Sequence, residues 1–181
     1  MQRAAMLLQV ATACAALLAT ALASRAQAPH EHGVVHLDVA VDPTRITIQL
    51  SSPLDNLLGF ERAPRTDAER QRVATMVASL RAPSGLFAID PAAGCKPGAV
   101  RLDSAALQLG RPDPAERQAG HADLDARFEF DCADASRAGF VDTTLLASFA
   151  GIQRIAVQIA SNRGQRQVTL ARPMSRIALP R

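Results

Sequence analysis

Histidine is scarce in this chain: there are four in 181 residues, and three of them, His30, His32 and His36, fall within seven positions. A neutral imidazole offers a lone pair to a metal ion. Two imidazoles at i and i+2 of an extended chain point to the same side, about 6.6 Å apart at the backbone, and such pairs commonly hold one zinc ion. His36 lies four residues beyond His32, about 13 Å along an extended chain, which is too far for one tetrahedral ion. Either Gly33 folds the segment back, or His36 joins ligands from elsewhere. His121 and Asp123 are the candidates for that role, with Glu61 as a further oxygen donor. The plainer reading is a polar N-terminus with His36 on the solvent face of a strand, and spacing alone leaves both open. An amino-terminal copper or nickel chelate is excluded, because with Gln27 first His30 is fourth and Pro29 has no amide proton to lose.

Other chemistry is hard to find. There is no Gly-x-Ser-x-Gly elbow, no phosphate loop, no His-Glu-x-x-His and no dinucleotide fingerprint. Asp55, Glu61 and Asp123 are three among 17 acidic residues and are expected to be solvated rather than paired for acid–base work, so the chain is expected not to be an enzyme. Without Trp or Tyr and with only six Phe, it has no stacking platform for nucleic acid and no aromatic cleft for sugars.

Residues 1–26 combine Arg3, an apolar run from Ala4 to about Ala23, and small residues at its end. That is the pattern of a secretory signal peptide, with cleavage after Ala23 or Ala26. An Ala-rich run of this length can also span a bilayer, but the abrupt small-residue boundary points to removal. The expectation is a single exported domain over residues 27–181, with no stable membrane insertion after processing. Removal takes Arg3 and Arg25 with it, lowering the formal charge from +3 to about +1, so the basic balance says little about partners. It also takes Cys14. The remaining pair, Cys95 and Cys132, is expected to form a disulfide in an oxidising compartment, worth about 3 to 4 kcal/mol in the chain-entropy model.

The elements that must position these residues can be read from periodicity. Val35, Leu37, Val39 and Val41 alternate with polar residues, Asp42-Pro43-Thr44 makes a turn, and Ile46, Ile48 and Leu50 resume the alternation, predicting an antiparallel hairpin. Residues 51–64 are apolar without clear period and read as a partly buried loop. Thr66 with Glu69 makes a capping box, and Val73, Met76, Val77 and Leu80 follow at helical spacing, predicting a helix over about 66–82. Leu86–Ile89 reads as a short strand and 91–98 as a Pro/Gly-rich stretch. Residues 99–109 read as a strand with a bulge near Ser104–Ala106, and residues 110–120 as an exposed loop. Leu124 to Cys132 is a well-patterned strand, Thr143–Gly151 a short helix, and Ile155–Ile159 and Val168–Leu170 two further strands. Antiparallel pairing of the strands flanking the 110–120 loop brings Cys95 to Cys132, stapling the base of a long hairpin. The sum is an α+β fold: a mainly antiparallel sheet with one well-defined helix and a disulfide-stapled hairpin.

Three stretches also resemble a known family. "HEHGVVHLDVAVD" (30–42), "SPLDNLLGFERAP" (52–64) and, after a cysteine, "HADLDARFEFDC" (121–132) are similar in order and spacing to the ZrgA-like family of bacterial periplasmic proteins associated with zinc binding and zinc uptake. The resemblance implies a periplasmic protein that binds Zn2+ through His30, His32, His36 and His121 and assists zinc uptake or buffering. Its implied partner, besides the zinc ion, is a component of a periplasmic zinc importer. Two departures reduce the implied capacity. Family members often carry a His-rich tract between the two cysteines, where this chain has "GRPDPAERQAG", and often a His after Gly-Phe-Glu, where it has Arg62. A guanidinium stays protonated and cannot replace an imidazole, leaving a smaller site for a single ion. The competing expectation is a non-metal interaction module of the envelope whose histidines are vestigial.

Overall fold

A computed structural model describes residues 31–111 and 122–180. The signal-peptide reading, His30 and His121 lie outside the described residues, as does most of the 110–120 loop.

Among the described residues, nine strands form two sheets. They are β1 (Val34–Asp42), β2 (Arg45–Pro53), β3 (Phe87–Ile89), β4 (Cys95–Asp103), β5 (Asp123–Cys132), β6 (Phe140–Thr143), β7 (Arg154–Ser161), β8 (Gly164–Ala171) and β9 (Arg176–Ala178). The large sheet has the order β4-β5-β2-β1-β7-β8, and the small one β3-β6-β9. Every pairing is antiparallel except β1 with β7. The fold is therefore the α+β class that the alternation predicts.

One face of the large sheet is apolar because its strands alternate with period two. Leu37 and Val39 of β1, Ile48 and Leu50 of β2, and Phe128 and Phe130 of β5 are all buried. The small sheet closes over this face: the ring of Phe87 lies 5.1 Å from that of Phe128 and 6.4 Å from that of Phe130. Truncating a fully buried ring such as Phe128 to Ala would cost about 3 to 5 kcal/mol. The opposite face carries His36, Asp38, Gln49, Asp125 and Arg127 on neighbouring strands and is polar.

Three α-helices are present among the described residues: α1 (Leu54–Leu58), α2 (Asp67–Leu80) and α3 (Leu145–Ser148). Helix α2 starts at the expected capping box, with the Thr66 side chain accepting from the Glu69 N–H and the Glu69 carboxylate accepting from the Thr66 N–H. Met76 and Leu80 are its buried anchors.

Cys95 and Cys132 are bonded, and they are register partners at the base of the β4–β5 hairpin. The expected staple is present.

Several expectations change. The 51–64 loop contains α1, a single turn started by Pro53 at φ −52°, with Leu54, Asn56 and Leu58 buried. Five residues are too few to show a period. The 91–98 stretch is not a plain turn region: β4 begins at Cys95 and runs through Pro97, which an edge strand tolerates because it needs no donor on its open side. The register shift in β4 falls between Pro97 and Val100, ahead of the expected bulge. At 104–109 the chain instead makes a tight turn closed by a Ser104–Leu109 bridge. Strands β6 and β9, three or four residues each, were not expected.

Candidate functional site

The corner where the chain enters β1 is built around a glycine and a buried amide. Gly33 has φ +81°, and a Cβ there would meet Gln153 Cδ at 2.9 Å. Its carbonyl accepts from the backbone N–H groups of Gln153 at 2.8 Å and Arg154 at 3.0 Å. Its own N–H donates to Asn56 Oδ1 at 2.5 Å, while Asn56 Nδ2 donates to the Val34 carbonyl at 2.8 Å. Asn56 is 2 % exposed. The segment carrying His32 is thus tied to α1 on one side and to the start of β7 on the other.

That tie sets His32 against the residue next to Asn56. His32 Nδ1 lies 3.1 Å from Asp55 Oδ2 and 3.8 Å from Glu61 Oε1. An ionised carboxylate can only accept, so Nδ1 carries the proton and donates it to Asp55. In the neutral ring Nε2 then keeps its lone pair. A carboxylate holding the far nitrogen of a metal-binding imidazole fixes its tautomer and raises its basicity. The hydrogen bond His32 donates to Asp55, then the charge of Glu61, raise the His32 pKa above its ordinary value of 6.5. The His32 side chain is 71 % exposed, so Nε2 is open to an incoming ion.

Glu61 owes its position to the stretch after α1. Gly59 ends the helix at φ +79°. Arg62 stands over the Phe60 ring at 5.1 Å and makes a two-pronged bond to Glu69, Nη2 to Oε1 at 2.8 Å and Nη1 to Oε2 at 3.0 Å. Glu69 also accepts from the Arg65 N–H at 2.6 Å. These contacts, led by the Arg62 side chain, bring the Glu69 carboxyl down to about 2. Arg62 therefore acts as a brace between the Glu61 loop and α2.

The remaining candidates are distributed as follows. His36 sits on β1 opposite Ser51, in a separate shallow groove on the outer sheet face with Asp38, Asp103 and Asp125. Asp123 opens β5 opposite Pro53, and its carbonyl accepts from Ser104 Oγ at 2.7 Å. Next to it, the carbonyl of Ala122 accepts from the N–H of Leu54 at 2.8 Å, so the chain bordering residue 121 is bonded to the first residue of α1. Among the described residues no group of three or more His, Cys, Asp or Glu side chains is gathered closely enough to hold a metal ion. What they contain is one imidazole oriented by a carboxylate, with a second carboxylate beside it.

Asn56 escaped notice in the sequence, and Asp55 was read there only as a solvated carboxylate. A usable signal was present: an amide between Leu54 and Leu57-Leu58 must find buried partners.

The family model described as ZrgA family zinc uptake protein matches residues 29–179. No curated protein matches the chain.

Proposed function

The chain belongs to the ZrgA family of zinc uptake proteins, and from that premise we propose that it is a non-enzymatic periplasmic protein that binds Zn2+ reversibly at the α1 corner and passes it to a component of a zinc importer. Zinc here is cargo. His32 supplies Nε2, oriented by Asp55, and Glu61 adds negative charge or an oxygen ligand. His30 and His121 supply the further nitrogens. His36, in a different groove, is left out of this set.

One observation carries the reading. The His32 imidazole and the Ala122 carbonyl both bond to α1, at Asp55 and at Leu54 respectively, which are neighbours in sequence. In sequence, His30 stands two residues before His32, and His121 immediately precedes Ala122. Both histidines are thus sequence neighbours of residues bonded to the corner that already holds an oriented imidazole.

The donor set suits zinc and suits release. Imidazole nitrogen and carboxylate oxygen are zinc ligands. Cys95 and Cys132 are consumed in the disulfide, so neither offers a thiolate to trap the ion. The disulfide also supports an oxidising compartment such as the periplasm.

Calorimetric titration of metal-stripped protein with Zn2+ at pH 7.5 tests the reading. One ion per chain at micromolar affinity or tighter is expected, with His32→Ala and His121→Ala each weakening binding at least about tenfold, the loss of one ligand. His36→Ala should leave it unchanged. Absence of micromolar binding would overturn the proposal in favour of a non-metal envelope module.

A further inference from the structure

The charge of the chain is unevenly distributed. After Asp142 the sequence contains no Asp or Glu, yet it carries Arg154, Arg163, Arg166, Arg172, Arg176 and Arg181. The corresponding end of the fold holds β8, the last strand of the large sheet. An outermost strand bonds on one side only, leaving half of its backbone N–H and C=O groups facing outward.

The two ends of the large sheet differ. At the β4 end, Pro97 removes a donor, the register shifts between Pro97 and Val100, and Lys96 adds a charge, all devices that discourage a further strand. At the β8 end the pairing with β7 is regular from Ser161–Gly164 to Arg154–Ala171, with no proline and no shift. Residues Gly164 to Gln167 are exposed and Val168 is half-buried. Beside this edge a cleft of about 620 Å3 runs toward β9, lined by Arg163, Arg166 and Arg176. Arg176 is engaged by Asp142 and stacked on Phe140 at 3.8 Å. Arg163 and Arg166 have no carboxylate partner among the described residues.

We propose that the outer edge of β8, from Gly164 to Thr169, takes an extended acidic segment of a partner protein as an added strand, with Arg163 and Arg166 pairing its carboxylates; beyond it the Ala171 carbonyl is already taken by the Met174 N–H at 2.8 Å. Backbone bonding supplies the docking and the arginines supply the choice of sequence. Strand alternation puts Arg166 and Val168 on one face, so the segment should present an acidic residue and an aliphatic one two positions apart. A second copy of this chain fits less well, because pairing β8 with β8 brings arginines together and the strand itself holds no acidic residue to offset them. A lipid surface fits less well too, since Met174 is the one large apolar residue exposed among the described residues.

The test uses the full protein and an acetylated eight-residue peptide, Glu-Thr-Val-Thr-Glu-Thr-Val-Thr. The expected result is saturable binding that slows amide exchange across Gln165–Thr169. Replacing both Glu by Lys should weaken binding by about tenfold, since it turns the same two exposed ion pairs repulsive. N-methylating alternate peptide amides should abolish it, because charge is retained while the strand bonds are lost. The double variant Arg163→Glu/Arg166→Glu should weaken binding about tenfold, the scale of two exposed ion pairs turned repulsive. Equal binding of the N-methylated peptide overturns the proposal by leaving only a charged patch. No peptide binding, with capture instead by phosphatidylglycerol vesicles, overturns it in favour of a lipid surface. Protection of the same amides that grows with protein concentration, without peptide, overturns it in favour of a second copy.

Discussion

Asn56 closes around the backbone of Gly33 and Val34, accepting from the first at 2.5 Å and donating to the second at 2.8 Å, and so fixes the distance between the His32 segment and the helix that carries Asp55. The described part of the proposed site is thus held in place by the fold itself. Such preorganisation matters most where few ligands are available.

Asn56→Ala should therefore damage both fold and site. It leaves the Gly33 N–H and the Val34 carbonyl without their partner in a buried corner, a loss of about 2 to 4 kcal/mol at 1 to 3 per orphaned group. Urea denaturation of the metal-free protein reads the stability loss. Titration under folding conditions should show weakened zinc binding as well.

In the proposed site, zinc and proton would compete for His32. Its raised pKa means that, as pH falls, affinity starts to decline above the ordinary histidine value of 6.5. Asp55→Asn removes the largest cause of the shift, so the decline should move to lower pH, while affinity at pH 8 drops because the imidazole is less basic. In the metal-free protein the sign is opposite. A protonated His32 favours the folded state below pH 6.5, and that contribution is lost as pH rises through the raised value. An NMR titration of the His32 ring, with and without Asp55→Asn, checks both directions.

Acid should loosen the brace behind Glu61. Glu69 is held at about 2 in the folded protein against 4.5 ordinarily, so its contribution is present above pH 4.5 and is lost as pH falls toward 2. Glu69→Gln should flatten the fall of Tm between pH 5 and pH 2. Arg62→Ala should act similarly, since Arg62 is the principal cause of the shift. If both variants lose stability in parallel with the parent over that range, the brace contributes nothing.

Removing the staple should cost stability and spare the metal. Cys95→Ala/Cys132→Ala is expected to lose about 3 to 4 kcal/mol in chemical denaturation. Zinc affinity of the folded variant should stay within about twofold, because neither sulfur is a ligand in this account.

Much of the frame is legible in the sequence. The β1–β2 hairpin shows because one of its faces is buried, which forces strict alternation from Val35 to Leu50. Helix α2 is announced by Thr66 and Glu69, whose side chains satisfy each other's backbone groups. The disulfide follows from two strands flanking one loop. Helix α1, β6 and β9 are hidden because elements of three to five residues take their stability from tertiary contacts such as Leu54, Val141 and Ile177, all fully buried. Pro97 misleads because the rule against proline in strands relaxes at an edge.

The site is legible in kind more than in composition. Histidine spacing points to the N-terminal segment, and His32 does lie beside carboxylates. His36 lies on the far side of the alternation: once Val35 and Leu37 are committed to the core, its imidazole belongs to the outer sheet face. The role of Asp55 is set by contacts across 23 residues of sequence, which no local pattern encodes.

Zinc K-edge absorption of the protein loaded with one equivalent of zinc, compared with His32→Ala, tests the central claim most directly. The account predicts a shell of nitrogen and oxygen at about 2.0 to 2.2 Å with imidazole scattering and no sulfur, and loss of one imidazole in the variant. An identical spectrum in His32→Ala, or sulfur at about 2.3 Å, would contradict it.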